Sequence, residues 1–188
     1  ETNNAEDSLG ARISITKPST LTLNGKIETP DNMGNNTTNF TALIVGANTT
    51  INAGENGGID TGVNGGYALN VLNGATLTIN GGYYYGGGTA VQVQKGTLLI
   101  TGGTFACEPY SNPVYGNKFL INCIDAAWKD GSAKIEITGG TFINFDPSDS
   151  ASENPRGNFV KEGYTVEVTQ HGDDTWYTVV PATTTTIG

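Results

Sequence analysis

The chain is poor in charge, and poorest in positive charge. Charged residues make up 14% of its 188 positions, with 9 Lys and Arg against 18 Asp and Glu, a formal net charge of −9. Phosphate backbones are gripped by clustered Lys and Arg, so nucleic acid is excluded as a partner. So little charge also argues against a long solvated helix or a coiled coil. A single histidine, His171, leaves no His-rich metal site and makes any Ser/His/Asp arrangement hang on one residue in a turn-like stretch. The two cysteines, Cys107 and Cys123, are too distant for a CxxC pair and too few for a zinc framework. They form either a disulfide in an oxidising compartment or two reduced, core-facing thiols. No segment reaches the ~18 consecutive apolar residues of a membrane helix, so no span is expected. The start, Glu1 to Asp7, is polar. It reads as a mature end from which a signal peptide was removed, which places the protein outside the cell or at its surface.

What the chain does have is glycine, 27 residues of it, with threonine and asparagine comparably abundant. These are turn-formers and β-formers rather than helix-formers. They are organised as a repeat. Ser19–Gly25 (STLTLNG), Ala75–Gly82 (ATLTINGG), Thr97–Gly103 (TLLITGG) and Lys134–Gly140 (KIEITGG) align, with a degenerate copy at Thr49–Gly54 (TTINAG). With Gly25, Ala53, Gly81, Gly102 and Gly139 as equivalents, the steps are 28, 28, 21 and 37 residues. Within each copy apolar and polar residues alternate strictly, which is the period of a strand and not of a helix.

A second strand recurs between copies, at Thr41–Val45, Ala68–Val71, Ala90–Val93 and Phe119–Cys123, with Phe159–Val160 as a last partial copy. A third follows each double glycine: Tyr83–Tyr85, Thr104–Ala106 and Thr141–Ile143. Strand triplets joined at glycine corners wind into coils that stack in parallel, about 4.8 Å apart. Leu21/Leu23, Ile51, Leu77/Ile79, Leu98/Ile100 and Ile135/Ile137 then form an internal ladder, each burial contributing about 1.5–3 kcal/mol. Tyr84, Phe105 and Phe142 form an internal aromatic stack that leaves Tyr83 and Tyr85 outside. Asn24, Asn52, Asn80, Thr101 and Thr138 hydrogen-bond up the stack at an inward corner. The alternating stretches 164–168 and 175–180 flank a turn at 170–174 and predict a β-hairpin that closes the last coil.

The expected architecture is all-β: a single-stranded right-handed parallel β-helix of about five coils over residues 11–160. A flexible segment at 1–10 precedes it, and a hairpin cap at 161–181 and a tail at 182–188 follow. The TLTINGG and ITGGTF units resemble those of right-handed parallel β-helix proteins of the pectate-lyase-like architecture. The closing stretch from Gly140 through Phe145-Asp146-Pro147-Ser148 to Trp176-Tyr177 is similar to the ends of gut-bacterial surface and phage-tail-like β-helix proteins. The resemblance spans roughly residues 11–181. It implies an exported structural or adhesive module, a monomer or a fibre-like homotrimer, with glycan as the partner. The same architecture includes polysaccharide lyases and glycosidases. Their lyase chemistry uses clustered carboxylates with calcium and a basic residue, and no such set is matched here residue by residue.

Candidate chemistry lies in the insertions. Asp125, Asp130 and Glu136, with Lys129 or Lys118 nearby, and separately Glu55 and Asp60, supply the acids a glycosidase or lyase would use, or else form solvated loops. Tyr83, Tyr85, Tyr110, Tyr115 and Trp128 supply planar rings for stacking on sugars, or else a satellite cluster packed against the coils. Trp176 and Tyr177 read as the core of the cap. No resident cofactor is expected. Incidental calcium is conceivable at Asp146/Asp149 or Asp173/Asp174. The outward pairs Thr20/Thr22 and Thr76/Thr78 look like an ice-binding face, but the array breaks at Leu99 and at Lys134/Glu136.

Overall fold

The computed structural model describes residues 13–34 and 40–183. The segment at 1–10 and most of the tail at 182–188 fall outside these residues. Strands dominate, in parallel and mixed sheets, and the class is all-β. The chain passes five times through three parallel ladders in the same order.

The first ladder holds β1 (Ile13–Ile15), β4 (Thr41–Val45), β7 (Tyr67–Val71), β9 (Val91–Val93) and β11 (Ile121–Cys123). The second holds β2 (Ser19–Leu23), β5 (Thr49–Ala53), the front halves of β8 (Ala75–Gly87) and β10 (Gly96–Glu108), and β12 (Ala133–Ile137). The third holds β3 (Lys26–Glu28), β6 (Gly58–Asp60), the rear halves of β8 and β10, and β13 (Thr141–Ile143). An antiparallel hairpin, β14 (Tyr164–His171) and β15 (Asp174–Pro181), pairs through β15 with β13 and closes the third ladder.

Equivalent side chains stack in columns because the rungs are in register. Leu43, Leu69, Val91 and Ile121 form one column, and Leu77, Leu98 and Ile135 another. Tyr84, Phe105 and Phe142 stack face to face, with centroids 5.2 and 5.0 Å apart and no exposure. Close approach of the rungs forbids side chains at some corners. A Cβ on Gly58, whose φ is +143°, would lie 1.8 Å from the Tyr83 carbonyl oxygen.

Four expectations are corrected. The aliphatic column of the second ladder runs Leu21–Ile51–Ile79–Ile100–Ile137, and Leu23 pairs with Ala53 instead. The first coil has slipped by two residues, a shift that keeps every side chain on its own face and so leaves no trace in the alternation. The asparagine ladder exists, with Asn80 Nδ2 donating to Asn52 Oδ1 at 2.9 Å and Thr101 Oγ1 to Asn80 Oδ1 at 2.6 Å, but it is exposed rather than inward. Val160 pairs with Ile137 and so extends the second ladder, not the first. The longest insertion contains a helix, α1 (Asp125–Asp130), in which Ala126 and Ala127 favour the helix and Gly131 ends it at φ 76°. Among the described residues no helix is long and apolar enough to cross a membrane.

Candidate functional site

Alternation along the third ladder puts Ile27, Ile59, Tyr84, Phe105, Phe142 and Tyr177 in one register column. Their neighbours therefore face outward. One outward column runs Lys26, Gly58, Tyr83, Thr104, Thr141 and Thr178, and beside it Asp60 pairs with Tyr85 and Ile143 with Trp176. Along this face runs an open groove of about 880 Å³. Tyr83, Thr104, Thr141 and Thr178 form its floor, with Lys26, Glu55 and Asp60 towards the first coils and Ile143 and Trp176 towards the cap. Gly81, Gly82, Gly103 and Gly140 line its second edge and keep it free of side chains.

The polar end is preorganised. Lys26 Nζ lies 3.6 Å from Asp60 Oδ2 and 4.6 Å from the centroid of the Tyr83 ring. Burial, and then the Asp60 carboxylate, push the Tyr83 phenol above its ordinary pKa, so it stays a neutral donor. At the other end Trp176 stacks on His171 with centroids 3.9 Å apart, which fixes the indole at the rim. Between the two ends the hydroxyls of Thr141 and Thr178 lie 3.0 Å apart. Half-buried rings flanked by hydroxyls suit a ligand with apolar faces and polar edges.

The residues singled out from the sequence are divided by the fold. Of the five aromatics, Tyr83 lines the groove. Tyr85 sits one column over, its phenol pushed up to about 12 by burial and then by Glu108. Tyr110 and Tyr115 pack edge-on at 6.2 Å and both contact Phe119, forming a satellite cluster. Trp128 donates through Nε1 to the Pro155 carbonyl at 2.8 Å and packs edge-on against Phe159, so it anchors the 144–158 loop.

The acids of the insertion do not converge. Asp125, Lys129 and Asp130 lie on α1 and are exposed. Asp130 accepts from the Ser132 N–H at 2.8 Å, and its hydrogen bonds with Ser132 hold its carboxyl below the usual range. Glu136 lies on the second ladder, paired with Lys161 at 2.9 Å. Lys118 sits over Phe119, 5.5 Å from its centroid. Glu55 and Asp60, by contrast, do share the groove. Asp149 is paired with Arg156, Asp146 accepts from Ser148, and Asp174 accepts from Asn144. Among the described residues no group of three His, Cys, Asp or Glu is placed to hold a metal ion. The disulfide alternative is not the one taken: Cys107 and Cys123 are free and buried, and burial pushes the Cys107 thiol up to about 12.

Sequence reasoning missed Lys26 and the groove role of Trp176. β3 and β6 are three residues each, with a single isoleucine at the centre, too short a pattern to be read as a strand. Trp176 and Tyr177 sit on opposite faces of β15, and which of them points inward depends on the partner strand. Comparison with protein-family models, curated proteins and solved structures yields no match.

Proposed function

We propose that the ladders wind as a single-stranded right-handed parallel β-helix, and that the protein is an exported, non-catalytic structural or adhesive module that binds carbohydrate on one lateral face. The groove carries this reading. It is long, open and shallow, it has a ring at each end (Tyr83 and Trp176), and threonines line the floor between them. Sugars bind proteins through these two features, stacking of the apolar ring face and hydrogen bonds at the hydroxyl edge. The intact protein on a glycan array should give a defined set of hits that Tyr83→Ala and Trp176→Ala abolish. No hits, with the fold shown intact by circular dichroism, removes the carbohydrate reading.

A second reading is a glycoside hydrolase or polysaccharide lyase. One observation favours it: Glu55, Asp60 and Lys26 meet in the same groove, where two acids and a base are the elements of such chemistry. Incubation with plant and host polysaccharides, with and without calcium, distinguishes it from binding alone by the appearance of shortened or unsaturated products.

A further inference from the structure

We infer that the groove takes a neutral, linear glycan lying along the stack axis from Tyr83 to Trp176, and that its charge rejects uronate-bearing and sulfated chains. The inference rests on the carbohydrate reading above and adds to it the ligand's charge, direction and length.

Direction and length come from the register. Tyr83, Thr104, Thr141 and Thr178 occupy four successive rungs of one outward column. At about 4.8 Å per rung the two ring-bearing ends lie about 14 Å apart. A rung is comparable in length to one pyranose residue of an extended chain, so successive sugars meet successive threonines. Trp176 has one face covered by His171, and Tyr83 has the Lys26 ammonium over its ring. Each ring is thus held in place and closes one end of the run. A ligand lying across the face instead of along it would meet one ring only.

Charge comes from the groove lining. The charged residues there are Lys26, Glu55 and Asp60. Lys26, the one cation among the described residues lining the groove, is already engaged, ion-paired with Asp60 at 3.6 Å and lying over Tyr83. In register with Asp60, Glu28 adds a further negative charge on the same face. The whole chain carries −9. An incoming carboxylate or sulfate therefore meets excess negative charge, with Lys26 already paired and no other cation among the described residues lining the groove, and like charges facing each other select against a ligand.

The test is calorimetric titration of the intact protein with cellopentaose, xylopentaose and mannopentaose against pentagalacturonate. At least one neutral pentasaccharide should bind, and the acidic one should bind at least about tenfold more weakly at low salt. The gap should narrow as salt rises. The double variant Glu55→Gln/Asp60→Asn, which leaves Lys26 as the groove's cation, should close it. The disaccharide of the bound series should bind at least about tenfold more weakly than the pentasaccharide, because it cannot reach both rings. Tyr83→Ala should remove most of that length advantage. Pentagalacturonate binding as tightly as the neutral chains, or a gap indifferent to salt and to the double variant, overturns the charge selection while leaving the carbohydrate reading standing. Equal binding of di- and pentasaccharide overturns the axial placement. No binding by any oligosaccharide, in protein with an unchanged circular dichroism spectrum, takes down both readings together.

Discussion

The first and third ladders are built from the same five passes of the chain, yet they present different surfaces and end differently. Inside, the first is aliphatic and the third becomes aromatic from its third rung onward. On the face turned away from the coil interior, the first carries amides that engage one another and are themselves buried at Asn70 and Gln92: Asn122 Nδ2 donates to Gln92 Oε1 at 3.3 Å, and Asn70 Nδ2 to Gln94 Oε1 at 3.2 Å. The third carries Lys26, Tyr83 and three threonines along an open groove. At the C-terminal end the third ladder is closed by a whole antiparallel strand, β15. The first is closed at Cys123 by one side chain, since the backbone N–H of Cys123 donates to Glu153 Oε1 at 2.9 Å. A full strand adds a rung, and with it Trp176 and Thr178. A carboxylate satisfies one donor and adds no surface. The repeat supplies a scaffold, and the way each ladder ends helps decide which face becomes a site.

The largest expected effects break the third ladder from within. Phe105→Ala removes the middle ring of the buried stack and should cost about 3–5 kcal/mol in chemical denaturation. Ile121→Val, in the aliphatic column of the first ladder, should cost about 0.5–1.5 kcal/mol. Next comes Gly58→Ala. The added Cβ meets the Tyr83 carbonyl at 1.8 Å, and nothing there can yield without moving a rung. A cost of about 1–3 kcal/mol is expected, with a matching loss of glycan binding. Gly25→Ala is the control, because a Cβ there meets nothing within 4 Å. Trp176→Ala should act the other way round: at least about tenfold weaker glycan binding, about 1.4 kcal/mol, with little change in thermal midpoint because the indole sits at the rim. Gln92→Ala, which breaks a buried amide contact on the first ladder away from the groove, should leave glycan binding untouched.

The contrast between the ladders was only partly legible beforehand. The alternation in ATLTINGG and TLLITGG, followed by Tyr-Tyr-Tyr and Thr-Phe-Ala, exposes the strand period and the buried aromatic column directly, because burial and period 2 are local properties. The two-residue slip at Leu23 is not local. It follows from how far the first corner extends, and it leaves the inward and outward sets unchanged. The groove draws together Lys26, Asp60, Tyr83 and Trp176 from four different strands, two of them three residues long. Their convergence is a consequence of register, which no single segment encodes. For the tyrosines and tryptophan of the insertions the sequence left two alternatives, sugar-stacking rings or a packed satellite cluster, and contacts with Phe119 and Phe159 select the second.

The smallest effect tests the first ladder's makeshift ending. Glu153 is 4% exposed, its Oε2 has no hydrogen-bond partner among the described residues, and burial raises its carboxyl above the ordinary glutamate range despite hydrogen bonds from Cys123 and Ser152 that act the other way. Asp125, facing it from α1, pushes in the same direction as burial. A folded-state pKa raised above the unfolded one means the folded protein binds the proton more tightly. Its stabilising contribution is therefore fully present below about 4.5 and is lost as pH rises through the raised folded value. Glu153→Gln keeps an acceptor for the Cys123 N–H and removes the titration. The thermal midpoint of the native protein relative to this variant should climb as pH is lowered from neutrality towards 4.5. β15 closes its ladder by backbone pairing with β13 rather than through a buried carboxylate, so Val179→Ala, made at that end where its cross-strand partner is Val166, should shift the midpoint by nearly the same amount across this pH range. A Glu153→Gln difference that is equally flat would mean that the carboxylate holds Cys123 with no penalty for its burial.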